Sequence, residues 1–261
     1  MKKTLYLFFV TFLFFTYSYA QESKDWEVFK STHFLIYYKN VPVDFITGVS
    51  TVSEKYYNAI AEDLGFSRLN FWSWDDRAKI YIYDDVSDYQ RQTGEPSWSQ
   101  GRTVPGYKII QSYFGAQEFL ESTLPHEMSH IIFREFVGFN NPAVPLWLDE
   151  GVSSYQEKIK FAGTSEILKD AMEKKVFMDL LKLTGFKDYP LEYGSESVRL
   201  FYAESFSLIE YLMKKFGRDK FVTFCQDLRD KRSFEGALSS GYNFADLKEM
   251  DQAWQDYIKN E

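Results

Sequence analysis

The chain has one cysteine and only three histidines in 261 residues. A lone Cys225 cannot close an intramolecular disulfide and lies outside any lipid-attachment context near the amino end, so it reads as a small core residue. No repeat and no low-complexity linker interrupts the sequence. Basic residues are in deficit, 30 against 38 acidic, for a formal charge of −8, which argues against a nucleic-acid partner. No apolar run reaches the ~20 residues that a membrane span needs. The longest one, residues 5–15, follows Met1-Lys2-Lys3 and precedes Ser18-Tyr19-Ala20. Basic start, apolar middle and small-residue end make residues 1–20 a signal peptide, with a mature chain from Gln21 that is exported to the periplasm or secreted. An uncleaved version would be a short membrane anchor, but Thr11, Thr16 and Ser18 interrupt it. Removing it takes two lysines and no acid, leaving 28 basic and 38 acidic residues. Between Gln21 and the first strand only about a dozen residues remain, too few for a folded inhibitory domain.

Aromatic residues, in contrast, are abundant at 19%. Most fall at core-facing spacings, so packing is a better reading than a carbohydrate platform. About 240 mature residues suffice for one substantial core or two closely packed lobes. The first half alternates. His33 to Tyr38 is a strand, Ile46, Val49, Val52, Tyr56, Ile60 and Leu64 mark a helix ending at Gly65, residues 79–83 form a second strand, residues 87–93 a short helix, and residues 107–113 a third strand. The second half is almost wholly helical: Thr164-Ser165 caps a helix through Lys174, Asp219 caps Phe221 to Leu228, and Leu247, Met250, Trp254 and Ile258 mark a final amphipathic helix. The longest loop runs from Thr184 to Ser197 and leads to a helix starting at Tyr202.

Two of the three histidines lie four residues apart in His126-Glu127-Met128-Ser129-His130. On a helix this spacing puts both rings on one face, with Cβ atoms roughly 5–6 Å apart, where they can hold one metal ion. Glu127 then sits beside the ion as the base that takes a proton from a metal-activated water. Pro125 lacks an N–H and crowds the preceding turn, so the helix begins near Ser122–Thr123 or kinks there. The third histidine, His33, is far upstream on a strand and reads as a half-buried structural residue.

A third ligand is still required. Phe133 and Phe136 occupy the positions where the metzincin pattern needs Gly and His, which excludes that branch. The pair LPHEMSH and, twenty residues on, WLDEGVSSYQE resembles the gluzincins, and more narrowly the peptidase-MA-like group of secreted bacterial enzymes. That resemblance is sharp over about residues 120–160 and diffuse elsewhere. It implies an α+β, zincin-like fold: a mixed β-sheet lobe with the active-site helix over residues 21–137, then a mainly helical lobe over 138–261 that carries the third ligand. It further implies Zn²⁺ held by His126, His130 and Glu150, peptide-bond hydrolysis with Glu127 as general base, and a peptide or protein substrate. Asp149 is the rival of Glu150, as ligand or as partner to a histidine N–H. In this family the strand before the active-site helix pairs with extended substrate, which points to residues 107–113. A tyrosine from a later "Tyr-Ala-x-Ser" helix often hydrogen-bonds the oxyanion, and Tyr202 matches it, with Tyr193 next in line. Gly115-Ala116-Gln117-Glu118-Phe119 is only faintly similar to the amine-binding motif of large zinc aminopeptidases and lies too near the metal helix, so it is taken as coincidence. A zinc-stabilised binding or assembly factor and an amidase acting on cell-wall peptides are the alternatives to a peptidase.

Overall fold

The computed structural model describes residues 26–66, 72–157, 161–190 and 194–261. The signal segment and Tyr193 lie outside the described residues. Five strands form one mixed sheet in the order β1-β2-β3-β5-β4: β1 (Glu27–Lys30), β2 (Phe34–Tyr38), β3 (Ala78–Tyr83), β4 (Gly101–Val104) and β5 (Ile109–Tyr113). The three central strands run parallel, and β1 and β4 are added antiparallel at the two edges. Alternation decides which face is covered. Phe34 and Ile36 of β2 and Ala78, Ile80 and Ile82 of β3 are fully buried beneath the helices. The intervening residues carry a second aromatic layer, in which Tyr37 stacks on Tyr81 at 4.6 Å and Trp26 meets Tyr81 edge-on at 5.3 Å.

Helix α1 (Val43–Leu64) crosses from β2 to β3 and stops at Gly65, whose φ of 78° is a left-handed conformation that costs glycine little. Helix α2 (Val86–Thr93) is capped by the Asp85 side chain on the Asp88 N–H. Helix α3 (Leu124–Val137) grows directly out of a π-helical turn over Phe119–Thr123, in which the Thr123 N–H reaches the Glu118 carbonyl at 3.1 Å. Pro125 is therefore the second residue of α3, and the wider turn before it absorbs the ring and the missing donor. Met128, Ile131, Ile132 and Phe133 of α3 are fully buried, and Phe136 stacks on Phe66 at 3.8 Å, fixing α3 to the end of α1.

Beyond α3 all the described elements are helices: α4 (Leu146–Tyr155), α5 (Thr164–Glu173), α6 (Leu180–Gly185), α7 (Ser195–Phe216), α8 (Arg218–Lys231), α9 (Phe234–Tyr242) and α10 (Leu247–Asn260). The fold is thus α+β, a mixed sheet followed by a helical C-terminal part. Helix α4 lies against both α3 and α7, and Gly151 is the reason that α7 can come so close. A Cβ built there would lie 2.4 Å from the Ser205 carbonyl oxygen and 2.9 Å from Ile209 Cγ1, so no larger residue fits between these two helices.

Several expectations need correction. Residues 107–113 are not a free strand: Pro105–Tyr107 is a 3₁₀ turn, Lys108 has φ of 52°, and β5 is hydrogen-bonded on both sides. The edge strand nearest α3 is β4, which its mixed composition and short length hid. Gly101 lets it pass under the π-turn, since a Cβ there would lie 2.7 Å from Thr123 Cγ2. Tyr202 stands in the third turn of α7 rather than at its start, because α7 already begins at Ser195. Gly163, not Thr164, caps α5, and Thr164 Oγ1 turns back to the Phe161 carbonyl at 2.6 Å. Gly217 rather than Asp219 precedes α8. Cys225 is wholly buried in α8, and burial holds its thiol far above the usual range.

Candidate metal centre

Helix α3 presents the two histidines one turn apart, with their Nε2 atoms 3.2 Å from each other. Glu150, in the second turn of α4, closes the third side. Its Oε2 is 3.5 Å from His126 Nε2 and its Oε1 is 3.7 Å from His130 Nε2. All three candidate ligand atoms lie within 4.8 Å of one another. Asp149 points elsewhere: its Oδ1 is 3.1 Å from His130 Nδ1 and its Oδ2 accepts from Arg134 Nε at 2.7 Å. The adjacent carboxylates are thus divided between the Nε2 side and the Nδ1 side of the histidines.

His126 has a matching support that the sequence reading passed over. Glu157 Oε2 is 2.8 Å from His126 Nδ1, and Ser122 Oγ donates to Glu157 Oε1. An ionised carboxylate only accepts hydrogen bonds, so each Nδ1 carries a hydrogen and each Nε2 is turned toward Glu150. Glu157 lies just past the end of α4, its N–H turned back to the Ser154 carbonyl at 2.9 Å, so helical spacing from Glu150 did not single it out. Tyr189 was missed as well. It sits in the loop between α6 and α7, where no periodicity singles out one tyrosine, and its hydroxyl donates to Glu150 Oε1 at 2.7 Å.

Electrostatically the cluster is short of positive charge. Burial opposes the charged form of His126, but its interactions with the Glu150 and Glu157 carboxylates, which accept from the ring, outweigh it and carry the ring's pKa up to about 10. His130 is raised too, against its burial, by the charges of Glu150 and Asp149. Burial likewise works against ionised Glu150, yet the two histidines bring its pKa down to about 2. Glu150 is 3% exposed, and its Oε2 has no hydrogen-bond partner among the described residues. Two imidazoles and one carboxylate with an orphaned buried oxygen, among surplus acids, fit a divalent cation that prefers nitrogen and oxygen ligands.

Glu127 and Tyr202 line the same cavity as His126. Burial raises the Glu127 carboxyl, with the histidines opposing. Burial, and then the charge of Glu150, keep the Tyr202 hydroxyl protonated well above its ordinary range. The Tyr202 ring lies 6.4 Å from that of His126 and 5.9 Å from that of Tyr189. Glu118 also lines this cavity, a placement its sequence position did not suggest. His33 is remote from all of this: Nδ1 is 2.6 Å from Glu54 Oε2, and the ring stacks on Tyr57 at 4.1 Å.

No curated protein matches the chain at a significant level. Among solved structures, the native LTA4 hydrolase of yeast aligns with a TM-score of 0.54 and 14% identity, over 88% of this chain and 39% of its own. The yeast enzyme in complex with bestatin gives a TM-score of 0.49 and 12% identity, over 90% of this chain and 37% of the other. This chain spans about two fifths of the length of the yeast hydrolase, and at that identity the first likeness speaks to fold. Residues 73–260, which hold every side chain of the cluster just described, match the family model described as the peptidase MA superfamily. On a match over well more than half of its length, the chain belongs to the peptidase MA superfamily.

Proposed function

We propose that this protein is an exported zinc-dependent peptidase of gluzincin type. The observation that carries the reading is the meeting of His126, His130 and Glu150 within 4.8 Å, beside a cavity that His126 lines together with Glu127 and Tyr202. His126 Nε2, His130 Nε2 and a Glu150 oxygen would hold the zinc, with Glu157 and Asp149 fixing the two rings through Nδ1. Bound there, zinc supplies Lewis acidity, making water more acidic and a carbonyl more electrophilic.

The chain's own residues do the rest. Glu127 takes the proton of the attacking water and returns it to the leaving amine, and its raised pKa brings it nearer the value suited to both roles. Tyr202, held neutral, donates its O–H to the oxygen on which negative charge develops. The outer edge of β4 offers backbone groups to an extended peptide beside the cavity, since β4 ends the sheet and Gly101 leads into it. Export is read from the signal-like residues 1–20.

Zinc content and hydrolysis of a quenched random-peptide library, compared between wild type and Glu127→Gln, test the proposal. One equivalent of zinc in both, with cleavage falling by about 10²–10⁴-fold in the variant, is expected from the loss of a general base. Undiminished cleavage by Glu127→Gln would refute the assigned base. Zinc without peptide cleavage in wild type, but with release of fragments from cell-wall peptide, would move the assignment to an amidase.

A further inference from the structure

The cavity beside the candidate metal centre has a volume of about 440 Å³ and reaches from His126 and Glu127 to the first turns of α7. Trp98, 80% exposed, and Ile167, 37% exposed, give it apolar walls. Three acids line it, Glu118, Glu127 and Glu157, and Arg199 is the one arginine or lysine among the described residues that line it, His126 being the other group able to carry positive charge. Arg134, Arg102 and Arg91 pair with Asp149, Glu95 and Asp88, while Arg77, Arg218 and Arg232 hold backbone carbonyls. Arg199 has neither a hydrogen bond nor an ion pair among the described residues. It is an exposed side chain that a helix of 22 residues holds in the cavity wall.

Its register is informative. Arg199 precedes Tyr202 by three residues in α7, so the two lie on one helix face with Cβ atoms roughly 5–6 Å apart. An extended peptide advances about 3.3 Å per residue. A group one or two residues from the bond facing Tyr202 therefore comes within reach of the guanidinium. In a chain of net charge −8, an acidic peptide is repelled at long range unless a local cation receives it. The guanidinium fork matches a carboxylate.

Resting on the peptidase reading above, we infer that Arg199 is a specificity-determining residue that receives a substrate carboxylate one or two residues from the scissile bond. That carboxylate is either an acidic side chain or the terminal α-carboxylate of a short peptide.

The test uses the zinc-loaded full chain and amide-capped quenched peptides carrying Glu or Gln on either side of the cut. A second set ends two residues after the cut as free acid or amide. Binding of both sets to Glu127→Gln is followed by fluorescence anisotropy. Wild type is expected to favour acid over its neutral counterpart roughly 10-fold, in KM and Kd rather than kcat, with the preference fading at high salt. In Arg199→Met the ratio falls to about one, in Arg199→Glu it reverses, and Arg199→Lys keeps part of it. The set that shows the ratio identifies the carboxylate. Equal handling of acid and neutral peptides by wild type, or an unchanged ratio in Arg199→Met, overturns the inference while leaving the peptidase intact. If no peptide of either charge is cleaved or bound, the peptidase reading fails and this inference with it.

Discussion

Tyr202 and Glu157 separate two ways in which one side chain can serve a site. Tyr202 lines the cavity, and on the proposed donor role Tyr202→Phe is expected to lower kcat by about 10²–10³ with KM little altered. Steady-state kinetics on a single cleaved peptide check it, and unaltered turnover would pass the donor role to Tyr189, whose hydroxyl already reaches Glu150 at 2.7 Å. Glu157 acts one atom further back, by holding the His126 ring through Nδ1 at 2.8 Å. Glu157→Gln can still accept a hydrogen bond but lacks the charge. Zinc affinity, measured by competition with a chelating dye, is expected to fall about 10–100-fold.

Among the elements, the crossing of α4 and α7 decides the site. Glu150 and Tyr202 come from different helices that meet only because Gly151 has no side chain. Gly151→Ala puts a methyl 2.4 Å from a backbone oxygen that has no rotamer to change. Overpacking of this kind typically costs about 1–3 kcal/mol, to be read from urea unfolding. Helix separation should also displace Glu150 from the histidines, so zinc affinity should fall together with stability. A variant as stable and as tightly metallated as wild type would show that the crossing has slack. The π-turn before α3 and the short edge strand β4 are joined in a similar manner at Gly101. Both are too brief to leave a periodic trace in sequence.

Among the described residues, one acid that the site does not use is fully buried. Glu204 of α7 is fully buried; its Oε1 accepts the Met178 N–H at 2.7 Å, while its Oε2 has no partner among the described residues. Burial, the largest influence, raises its pKa well above the ordinary carboxylate value, against the hydrogen bond from Met178. The folded protein therefore binds this proton more tightly than the unfolded chain does. Stability associated with protonated Glu204 is complete below the unfolded carboxylate pKa and is lost as pH rises through the folded one. Glu204→Gln should flatten that decline. Urea unfolding from pH 4 to pH 8 on both proteins would show it, and parallel profiles would rule Glu204 out as the source.

Local pattern by itself determined the helix registers of α1, α3 and α10, the three central strands, and the pairing of an HExxH helix with a downstream WLDEG segment, because each is written in a 3.6- or 2-residue period or in contiguous residues. It also set His33 apart from His126 and His130. Tertiary structure decided what depends on residues distant in the chain. It made β5 an interior strand and β4 the edge, it turned Asp149 to Nδ1 and Glu150 to Nε2 of the histidines, it brought Glu157 and Arg199 to one cavity, and it set the Tyr189 hydroxyl on Glu150. Those placements follow from where α4 and α7 cross and how the sheet orders its strands. No local spacing encodes a contact between residues 39 apart, such as Tyr189 and Glu150; only the packed core brings them within hydrogen-bond reach.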